Sequence, residues 1–228
     1  MKSEAIPSPL LASLFPPGVA AFELRGAGDP GSLHPAEAVE VQRAVPKRVR
    51  EFAAGRSCAR LALAQLGANT QPLLSRSNRS PAWPAGIAGS ITHTEGFCGA
   101  VAAHQNLLRG LGVDAERVGG VREELWPLVC TPREVDWLKQ LPLIQNVTWA
   151  CLFFSAKEAF YKCQHPITGE WLDFQDLTIE PDDLNATTGL LRIVPTRPIV
   201  LKPLDHVVTR FCFSDDLVLV GSAVLTKS

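Results

Sequence analysis

Apolar and polar positions divide this chain into two stretches, each of which begins with helices and ends with strands. In the first stretch, Pro35 favours the start of a helix, and Pro46 starts a second helix that runs to Leu66, before Gly67. The residues before Pro35 are rich in Pro, Gly and Ala, which predicts an irregular arm. The segment 69–89 is interrupted by prolines, shows no regular period and predicts an ordered loop.

The second stretch repeats this order. Thr131 to Glu134 forms a capping box with Pro132 at the first helical position, and the apolar period predicts a longer helix over 147–163, ended by His165 and Pro166. Strands are predicted at 90–92, 97–103, 111–116, 172–180, 189–194, 207–213 and 217–225. This order predicts an α+β fold of two similar lobes, residues 1–110 and 111–228, each a small antiparallel sheet packed with helices.

The composition excludes several classes of function. Of 228 residues, 46% are hydrophobic and 20% are charged, and the net charge of −1 gives no reason to expect nucleic acid as a partner. No apolar run is long enough to span a membrane, and the first residues lack the pattern of a signal peptide. The six cysteines show no CxxC spacing, which favours reduced, buried thiols over zinc ligands or disulfides. We therefore expect a cytosolic protein.

The sequence GVDAE at 112–116 places two acids on one predicted strand. Alternate side chains of a strand share a face, so Asp114 and Glu116 point the same way, while Val113 and Ala115 face the core. Two adjacent carboxylates repel each other unless a cation lies between them, and oxygen ligands at this spacing suit Mg²⁺. The alternative is a pair of acids on a solvated strand, and the motif alone does not decide between them.

The longer helix of the second half carries another polar cluster, in the segment FSAKEAFYK at 154–162. Glu158 and Lys162 are four positions apart, and Ser155 precedes Glu158 by three, so all three are neighbours on the helix surface. A glutamate and a lysine beside the apolar face can supply a third metal ligand or a base, and a cation for phosphate. The alternative is an exposed salt bridge worth about 0.5 kcal/mol or less.

Arg56 and Arg60 lie against the apolar face of the second predicted helix. The core stripe of this helix passes through Phe52, Ala59 and Leu63, with Arg56 inside it and Arg60 at its edge. An arginine aimed at the interior needs an anion, either a carboxylate of the same lobe or a phosphate of a ligand. Further polar candidates follow along the chain: Arg76, Arg79, Ser90 and His93.

The order of these motifs resembles the 4'-phosphopantetheinyl transferase superfamily. The motifs are GRxxAR at 55–60, Trp-Pro at 83–84 leading to GSITH at 89–93, GVDAE at 112–116 and FSAKEAFYK at 154–162. The resemblance is to the two-lobed type that activates siderophore, lipopeptide and polyketide synthases, and especially to its enterobactin-synthetase branch. It covers residues 47–171, and the GxDxE and FSxKExxYK pair is its most specific part.

The resemblance implies two lobes related by a pseudo-twofold axis, with coenzyme A bound in the cleft between them, in a monomeric chain. It implies that Asp114, Glu116 and Glu158 hold Mg²⁺, with Mn²⁺ as the alternative ion. The residues that it places at the coenzyme A phosphates are Arg56, Arg60, Arg76, Arg79, Ser90, His93 and Lys162. Relatives often carry a lysine in the loop before Trp-Pro, where this chain has Arg76 and Arg79 instead.

The resemblance also implies a reaction, in which coenzyme A is a substrate. Its phosphopantetheine arm passes to a serine of an apo acyl or peptidyl carrier protein, and 3',5'-ADP leaves. Glu158 is the expected base, and Lys162 is expected to stabilise the leaving nucleotide. Basic and apolar residues are expected at the rim for an acidic carrier, but the sequence does not identify them. Two alternatives stay open: a Mg²⁺-dependent phosphohydrolase acting on a nucleotide, and a non-catalytic coenzyme A binder.

Overall fold

Strands and helices follow one another largely in the predicted order. The structure is a computed structural model that describes residues 3–182, 187–199 and 206–226. Its strands are β1 (Ile6–Pro7), β2 (Ala20–Arg25), β3 (Ile87–Thr94), β4 (Phe97–His104), β5 (Leu108–Arg117), β6 (Leu177–Pro181), β7 (Thr188–Pro195), β8 (Val207–Ser214) and β9 (Leu217–Leu225). Its helices are α1 (Pro9–Ala12), α2 (Pro35–Glu40), α3 (Pro46–Gln65), α4 (Trp126–Val129), α5 (Pro132–Leu138) and α6 (Leu143–Thr168).

The strands form two antiparallel sheets, one in each half of the chain. The first sheet has the order β1-β2-β4-β3 and packs against α3, and the second has the order β5-β9-β8-β7-β6 and packs against α6. In each sheet, the strand that precedes the long helix pairs with the strand that comes last along the chain: β2 pairs with β4, and β5 pairs with β9. This shared connection confirms the α+β fold of two similar lobes. The chain passes from the first sheet to the second in the turn 105–107, slightly before the predicted division of the lobes after residue 110.

The ends of α3 and α5 follow local signals in the sequence. Helix α3 begins at Pro46 and ends before Gly67, whose φ of 65° is left-handed. Helix α5 opens with the predicted capping box, in which the Thr131 side chain accepts from the Glu134 N–H and the Glu134 carboxylate accepts from the Thr131 N–H. Within the described residues, no helix combines the length and the apolar character needed to cross a membrane.

The prediction of an irregular N-terminal arm is wrong, because the arm contains β1, α1 and β2. Five of the six residues of β2 are buried, including Glu23, and the alternation of apolar and polar residues is confined to the four positions 22–25, a short signal among the prolines and glycines of this segment. After α1, Leu14 and Phe15 pack closely against Gly221 of β9 and belong to the same core as Val113 of β5. The arm therefore joins the two lobes on the face of β5 that is turned away from α6.

Helix α6 is longer than the pattern predicts at both ends. It begins at Leu143, and it continues through Pro166 to Thr168, where Gly169 ends it with a φ of 67°. A proline in the last turn removes only one helical hydrogen bond, so the helix can pass it and stop at the glycine. The predicted strand over 172–180 begins only at Leu177, because Asp173 caps a short 3₁₀ turn before it.

The cysteines follow the prediction of reduced, buried thiols. All six are buried and unpaired: Cys58, Cys98, Cys130, Cys151, Cys163 and Cys212. Their burial between helices and sheets gives them the role of small apolar side chains.

Candidate active site

Two glycines of β5 allow α6 to lie directly on this strand. A Cβ atom on Gly112 would be 1.9 Å from the carbonyl oxygen of Ala159, and one on Gly110 would be 2.6 Å from the carbonyl oxygen of Cys163. Any larger residue at Gly112 would therefore push the helix away from the strand. This close approach places the Glu158 and Lys162 turn of α6 beside the acids of β5.

Four charged side chains meet where β5 and α6 touch. Lys162 Nζ lies 2.6 Å from Asp114 Oδ1 and 3.9 Å from Glu158 Oε2. Glu116 lies two positions after Asp114 on the same face, and the charges of the other three side chains all act on its pKa. Asp114 is 4% exposed, and its Oδ2 atom has no hydrogen-bond partner. The acids and the lysine that the sequence singled out thus form one cluster.

The pKa values of this cluster show crowded negative charge around one cation. Burial, followed by the charge of Asp114, raises the pKa of Glu116 to about 7. Burial also raises the pKa of Glu158, and Asp114 adds to that rise while Lys162 opposes it. Burial by itself would lower the pKa of Lys162, but Asp114, Glu158 and Glu116 raise it overall. Lys162 is therefore charged at neutral pH, while Glu116 is close to half protonated.

We expect Glu116→Gln to stabilise the metal-free protein at alkaline pH. A carboxyl whose pKa rises from 4.5 to about 7 on folding binds more protons in the folded state than in the unfolded state between these values. Stability is therefore lost as pH rises through that window. The variant removes this loss, so its unfolding free energy should exceed that of the wild type by about 1–2 kcal/mol at pH 8, after allowance for solvent screening.

Urea unfolding of both proteins at pH 5 and at pH 8, in the presence of a chelator, measures this difference. The gap between variant and wild type should be larger at pH 8. An equal gap at the two pH values, or a less stable variant at pH 8, would show that folding does not raise the pKa of Glu116.

The three predicted metal ligands do not form a finished metal site in this arrangement. Within the part of the chain that the structure describes, no three His, Cys, Asp or Glu side chains are placed to hold one ion together. The ammonium group of Lys162 lies between Asp114 and Glu158 instead. Asp114 Oδ2, which Lys162 does not contact, is a buried oxygen without a partner, and it is the atom that a divalent cation would satisfy.

Hydroxyl groups of β3 connect the first lobe to β5. Ser90 Oγ accepts a hydrogen bond of 3.1 Å from the Val113 N–H, and Thr92 Oγ1 accepts one of 2.9 Å from the Ala115 N–H. Thr92 Oγ1 also donates to Asp114 Oδ1 at 3.3 Å. The structure therefore gives Ser90 a contact at the junction of the lobes, whereas its part in coenzyme A binding stays a prediction.

The junction also reveals a cation that the sequence motifs do not mark. Arg48, in the first turn of α3, has Nη1 2.8 Å from Nε2 of His93 on β3. Burial lowers the pKa of His93, and the charges of Arg48 and then Lys162 lower it further. Arg48 and His93 are 45 positions apart in the chain, so only the packing of α3 beside β3 brings them together. Arg48, which also lies 3.6 Å from Glu51, thus brings a second cation to the cleft beside the imidazole of His93.

Arg56 and Arg60 are paired with acids of their own lobe, which is the alternative that the sequence left open. Arg56 is 5% exposed, stacks on the Phe52 ring at 4.1 Å and has Nη2 3.9 Å from Glu40. Arg60 Nη1 donates to Glu37 at 2.7 Å. Both acids come from α2, and their positions in the fold could not be read from the helical period of α3. The nucleotide contacts predicted for the two arginines stay predictions.

We expect Arg60→Ala to reduce stability more than it reduces coenzyme A binding. Glu37 is fully buried, and among the described residues the substitution leaves it with only the N–H groups of His34 and Leu73 as partners. Loss of a charge-assisted contact to a buried carboxylate costs about 2 kcal/mol of unfolding free energy. Chemical denaturation measures this cost. Arg133→Ala, which removes the exposed Arg133–Glu180 pair of 2.9 Å, is the control and should cost about 0.5 kcal/mol or less. Unchanged stability with a selective loss of coenzyme A affinity would restore the nucleotide role of Arg60.

Arg76 and Arg79 lie in an exposed turn beside Arg56. Arg79 adopts a left-handed φ of 66°, and its N–H donates to the Arg76 carbonyl at 2.8 Å. Ser75, at the base of the turn, accepts from Arg56 Nη2 at 3.2 Å and donates to Glu40. Within the described residues, the side chains of Arg76 and Arg79 have no acidic partner, so both guanidinium groups are available to an anion.

A cavity of about 120 Å³ opens next to Glu158. Its walls carry mainly apolar and aromatic side chains, including Tyr161, Trp171, Leu172 and Phe174. Trp171 packs edge-on against Tyr161, with ring centroids 5.4 Å apart. This cavity could not be predicted from the sequence, because Trp171 and Phe174 lie in the irregular segment that follows α6, where no regular spacing marks them.

Comparison with known proteins finds one family over most of the chain. Residues 35–103 match the family described as 4'-phosphopantetheinyl transferase N-terminal domain, and residues 110–209 match the 4'-phosphopantetheinyl transferase superfamily. The 4'-phosphopantetheinyl transferase Svp of Streptomyces mobaraensis is 42% identical over 200 residues, covering 86% of this chain and 80% of that protein.

Two further proteins are similar over smaller parts. Enterobactin synthase component D of Escherichia coli K12 is 34% identical over 139 residues, covering 60% of this chain and 65% of that protein. The crystal structure of a holo-(acyl-carrier-protein) synthase from Bacillus anthracis, in complex with CoA (3',5'-ADP), superposes with a TM-score of 0.42 at 18% identity. The superposition covers 53% of this chain and 99% of the synthase chain.

Proposed function

This chain belongs to the 4'-phosphopantetheinyl transferase superfamily and is a 4'-phosphopantetheinyl transferase; on that premise, we propose how its cleft performs the transfer. The donor is coenzyme A, and the acceptor is a serine hydroxyl of an apo carrier protein. The observation that carries the assignment of the site is the cluster of Asp114, Glu116, Glu158 and Lys162 at the contact of β5 and α6. Within one small volume, the cluster provides a carboxylate that can accept a proton, the ammonium group of Lys162 and oxygen atoms that can bind a metal ion.

The phosphates of coenzyme A bind along the row of side chains from Lys162 through the imidazole of His93 to Arg48, in which the two end groups are cations. Lys162 and Arg48 both act on the pKa of His93, which places the three side chains within electrostatic range of one another. Phosphate transfer depends mainly on positioning and on neutralisation of negative charge, and such a row supplies both. Arg76 and Arg79, without acidic partners among the described residues, extend the row toward the nucleotide end. Arg56 supports this loop through Ser75.

The pantetheine arm occupies the cavity beside Glu158. Its aromatic and aliphatic walls suit the arm, which is uncharged and largely apolar apart from its amide groups. An arm held there brings the phosphorus atom to which it is attached close to Glu158 and Lys162. The nucleotide then lies on the opposite side, toward Arg48.

The proton and the leaving group are handled by α6. The serine Oγ forms a bond to the pantetheine-side phosphorus, the bond from that phosphorus to the oxygen of the nucleotide phosphate breaks, and the nucleotide leaves with the electron pair. Glu158 takes the serine proton; in the metal-free protein, burial raises the pKa of this carboxyl. Lys162, which stays charged, stabilises the negative charge on the departing 3',5'-ADP.

The donor set fits Mg²⁺ in its chemistry. Asp114 and Glu116 lie on one strand face, Glu158 faces them from α6, and Asp114 Oδ2 is a buried oxygen without a partner. We propose these three carboxylates as the metal ligands. A bound divalent cation would relieve the repulsion between Asp114 and Glu116, which adds to the effect of burial on the pKa of Glu116, and would neutralise charge on the phosphate oxygens.

Incubation of the protein with coenzyme A, Mg²⁺ and a panel of apo-carrier proteins tests the proposal. Mass spectrometry should show that at least one carrier gains the mass of a single phosphopantetheine arm. A carrier whose acceptor serine is replaced by alanine is the control and should keep its mass. An unchanged mass for every carrier in the panel would contradict the proposed function.

A further inference from the structure

The cavity beside Glu158 lies between a regular wall and an irregular one. Helix α6 supplies the first wall through Glu158 and Tyr161, and the segment 171–174 supplies most of the second. This second wall belongs to the connection 170–176 between α6 and β6, whose regular structure is one short 3₁₀ turn. Because the backbone of such a segment is not held by a sheet or a long helix, its position depends on other hydrogen bonds.

Arg197, two positions after the end of β7, binds both ends of this connection. Its Nε and Nη2 atoms lie 2.7 and 2.9 Å from the two carboxylate oxygens of Asp176. Its Nη1 atom lies 3.1 Å from Glu170 Oε1, and Nη2 also donates to the Trp171 carbonyl oxygen at 3.2 Å. We call these residues the Arg197 network: Glu170, Trp171, Asp176 and Arg197. One guanidinium group therefore ties the second wall to the end of β7.

The Arg197 network differs from ordinary ion pairs of a protein surface. A guanidinium that meets a carboxylate through two parallel hydrogen bonds is held in a fixed orientation, whereas most exposed pairs are loose and contribute little. The hydrogen bond from Arg197 lowers the pKa of Asp176, so this carboxylate is charged at neutral pH. Thr196 adds two hydrogen bonds at the same place, from its N–H to the Asp176 carbonyl at 2.9 Å and from its hydroxyl to the Gln175 carbonyl at 2.7 Å. The connection is thus fixed to β7 at several points.

Trp171 depends on this network because burial contributes little to its position. It is 71% exposed, and its ring meets Tyr161 edge-on. The hydrogen bond from Arg197 to the Trp171 carbonyl oxygen fixes the backbone from which this ring extends. Arg197 lies outside the set of residues that line the cavity. It can therefore act on a ligand in the cavity through the wall, and not by direct contact.

We propose that Arg197 is a positioning residue for the pantetheine arm, because it holds Trp171 and the rest of the second wall in place against α6. This inference rests on the proposed function, which puts the arm in this cavity. A wall that is already in place spares the arm the cost of ordering it on binding. The nucleotide lies toward Arg48, on the other side of Glu158, so its binding does not use this wall. The network should therefore strengthen the binding of coenzyme A and not that of 3',5'-ADP, which lacks the arm.

Two binding constants measured on one variant test this role. In Arg197→Gln, which loses the charge and the bidentate contact, the Kd for coenzyme A with Mg²⁺ should rise about tenfold, while the Kd for 3',5'-ADP should stay within about twofold of the wild-type value. The KM for coenzyme A in carrier modification should rise in step with its Kd. The matched control Arg192→Gln removes the same charge from β7, together with the exposed pair between Arg192 and Glu180, and it should leave both Kd values unchanged.

Asp176→Asn repeats the test from the acidic side of the network, and it replaces Arg197→Gln if that variant does not fold. The amide keeps an oxygen that can accept from the Asp173 N–H, as the carboxylate does at 2.8 Å, but it weakens the bidentate contact with Arg197. We expect the same selective loss of coenzyme A affinity, with 3',5'-ADP again bound as in the wild type.

The remaining outcomes decide the inference separately from the proposed function. Equal losses for coenzyme A and 3',5'-ADP would give Arg197 a general structural role, and an unchanged Kd for coenzyme A in both variants would refute its part in binding. A wild type that binds the two ligands equally would also overturn the inference, because the arm then gains nothing from the cavity. If the wild type modifies no carrier, the proposed function fails, and the two Kd values still decide the role of Arg197.

Discussion

Glu158→Gln should retain coenzyme A binding and lose turnover. Glutamine keeps the size of the side chain and one oxygen ligand, but it cannot accept the serine proton. We therefore expect the Kd for coenzyme A with Mg²⁺ to stay within about tenfold of the wild-type value, while single-turnover transfer slows by about 10²-fold or more, the usual scale for the loss of a positioned base. Calorimetry measures the binding, and rapid quench with an apo-carrier measures the transfer.

A second glutamine substitution controls for the loss of charge. Glu124 is exposed on the same lobe, and Glu124→Gln should bind and transfer like the wild type. If Glu158→Gln transfers at nearly the wild-type rate, the serine proton goes elsewhere, and Glu158 serves only as a ligand or as the partner of Lys162.

Asp114→Asn should damage binding and turnover together. The carboxylate holds the Lys162 ammonium at 2.6 Å and also carries the buried Oδ2 that has no partner. The amide cannot balance the charge of Lys162, and it is a poorer metal ligand. We expect transfer to fall by about 10²-fold or more, and Mg²⁺-dependent coenzyme A affinity to fall with it. Titration of coenzyme A with and without Mg²⁺, beside single-turnover transfer, measures both effects.

A double-mutant cycle separates the ion pair from other effects of this substitution. Lys162→Met should reduce transfer strongly by itself, and the double variant Asp114→Asn/Lys162→Met should be much less impaired than the product of the two single losses. Losses that multiply would show that Asp114 and Lys162 act independently, and full activity of Asp114→Asn would remove this carboxylate from the site.

The acidic and lysine cluster could be predicted because its signals are local. Alternation along β5 puts Asp114 and Glu116 on one face, and the helical period puts Glu158 and Lys162 on adjacent turns of α6. The close contact of the two elements depends on Gly112, whose missing side chain is also visible in the sequence. The sequence did not show that Lys162 would form an ion pair with Asp114 Oδ1, because that contact depends on how α6 is placed against β5.

Contacts between distant elements account for most of what the sequence could not show. The helical period correctly turns Arg56 and Arg60 toward the interior, but their partners Glu40 and Glu37 lie on another helix. Arg48 meets His93 only because α3 packs beside β3. Strand β2 was missed because its alternation covers only the four positions 22–25, and its place in the sheet depends on pairing with β4, far along the chain.

The release of 3',5'-ADP from coenzyme A, measured together with the mass of an apo-carrier, tests the transferase assignment most directly. We expect one 3',5'-ADP for each carrier that gains a phosphopantetheine arm, and no release without a carrier or with a carrier whose serine is replaced by alanine. Steady release of 3',5'-ADP without any carrier would identify a phosphohydrolase. Binding of coenzyme A with neither release nor modification of any carrier would identify a non-catalytic binder, and either result would contradict transfer to a serine.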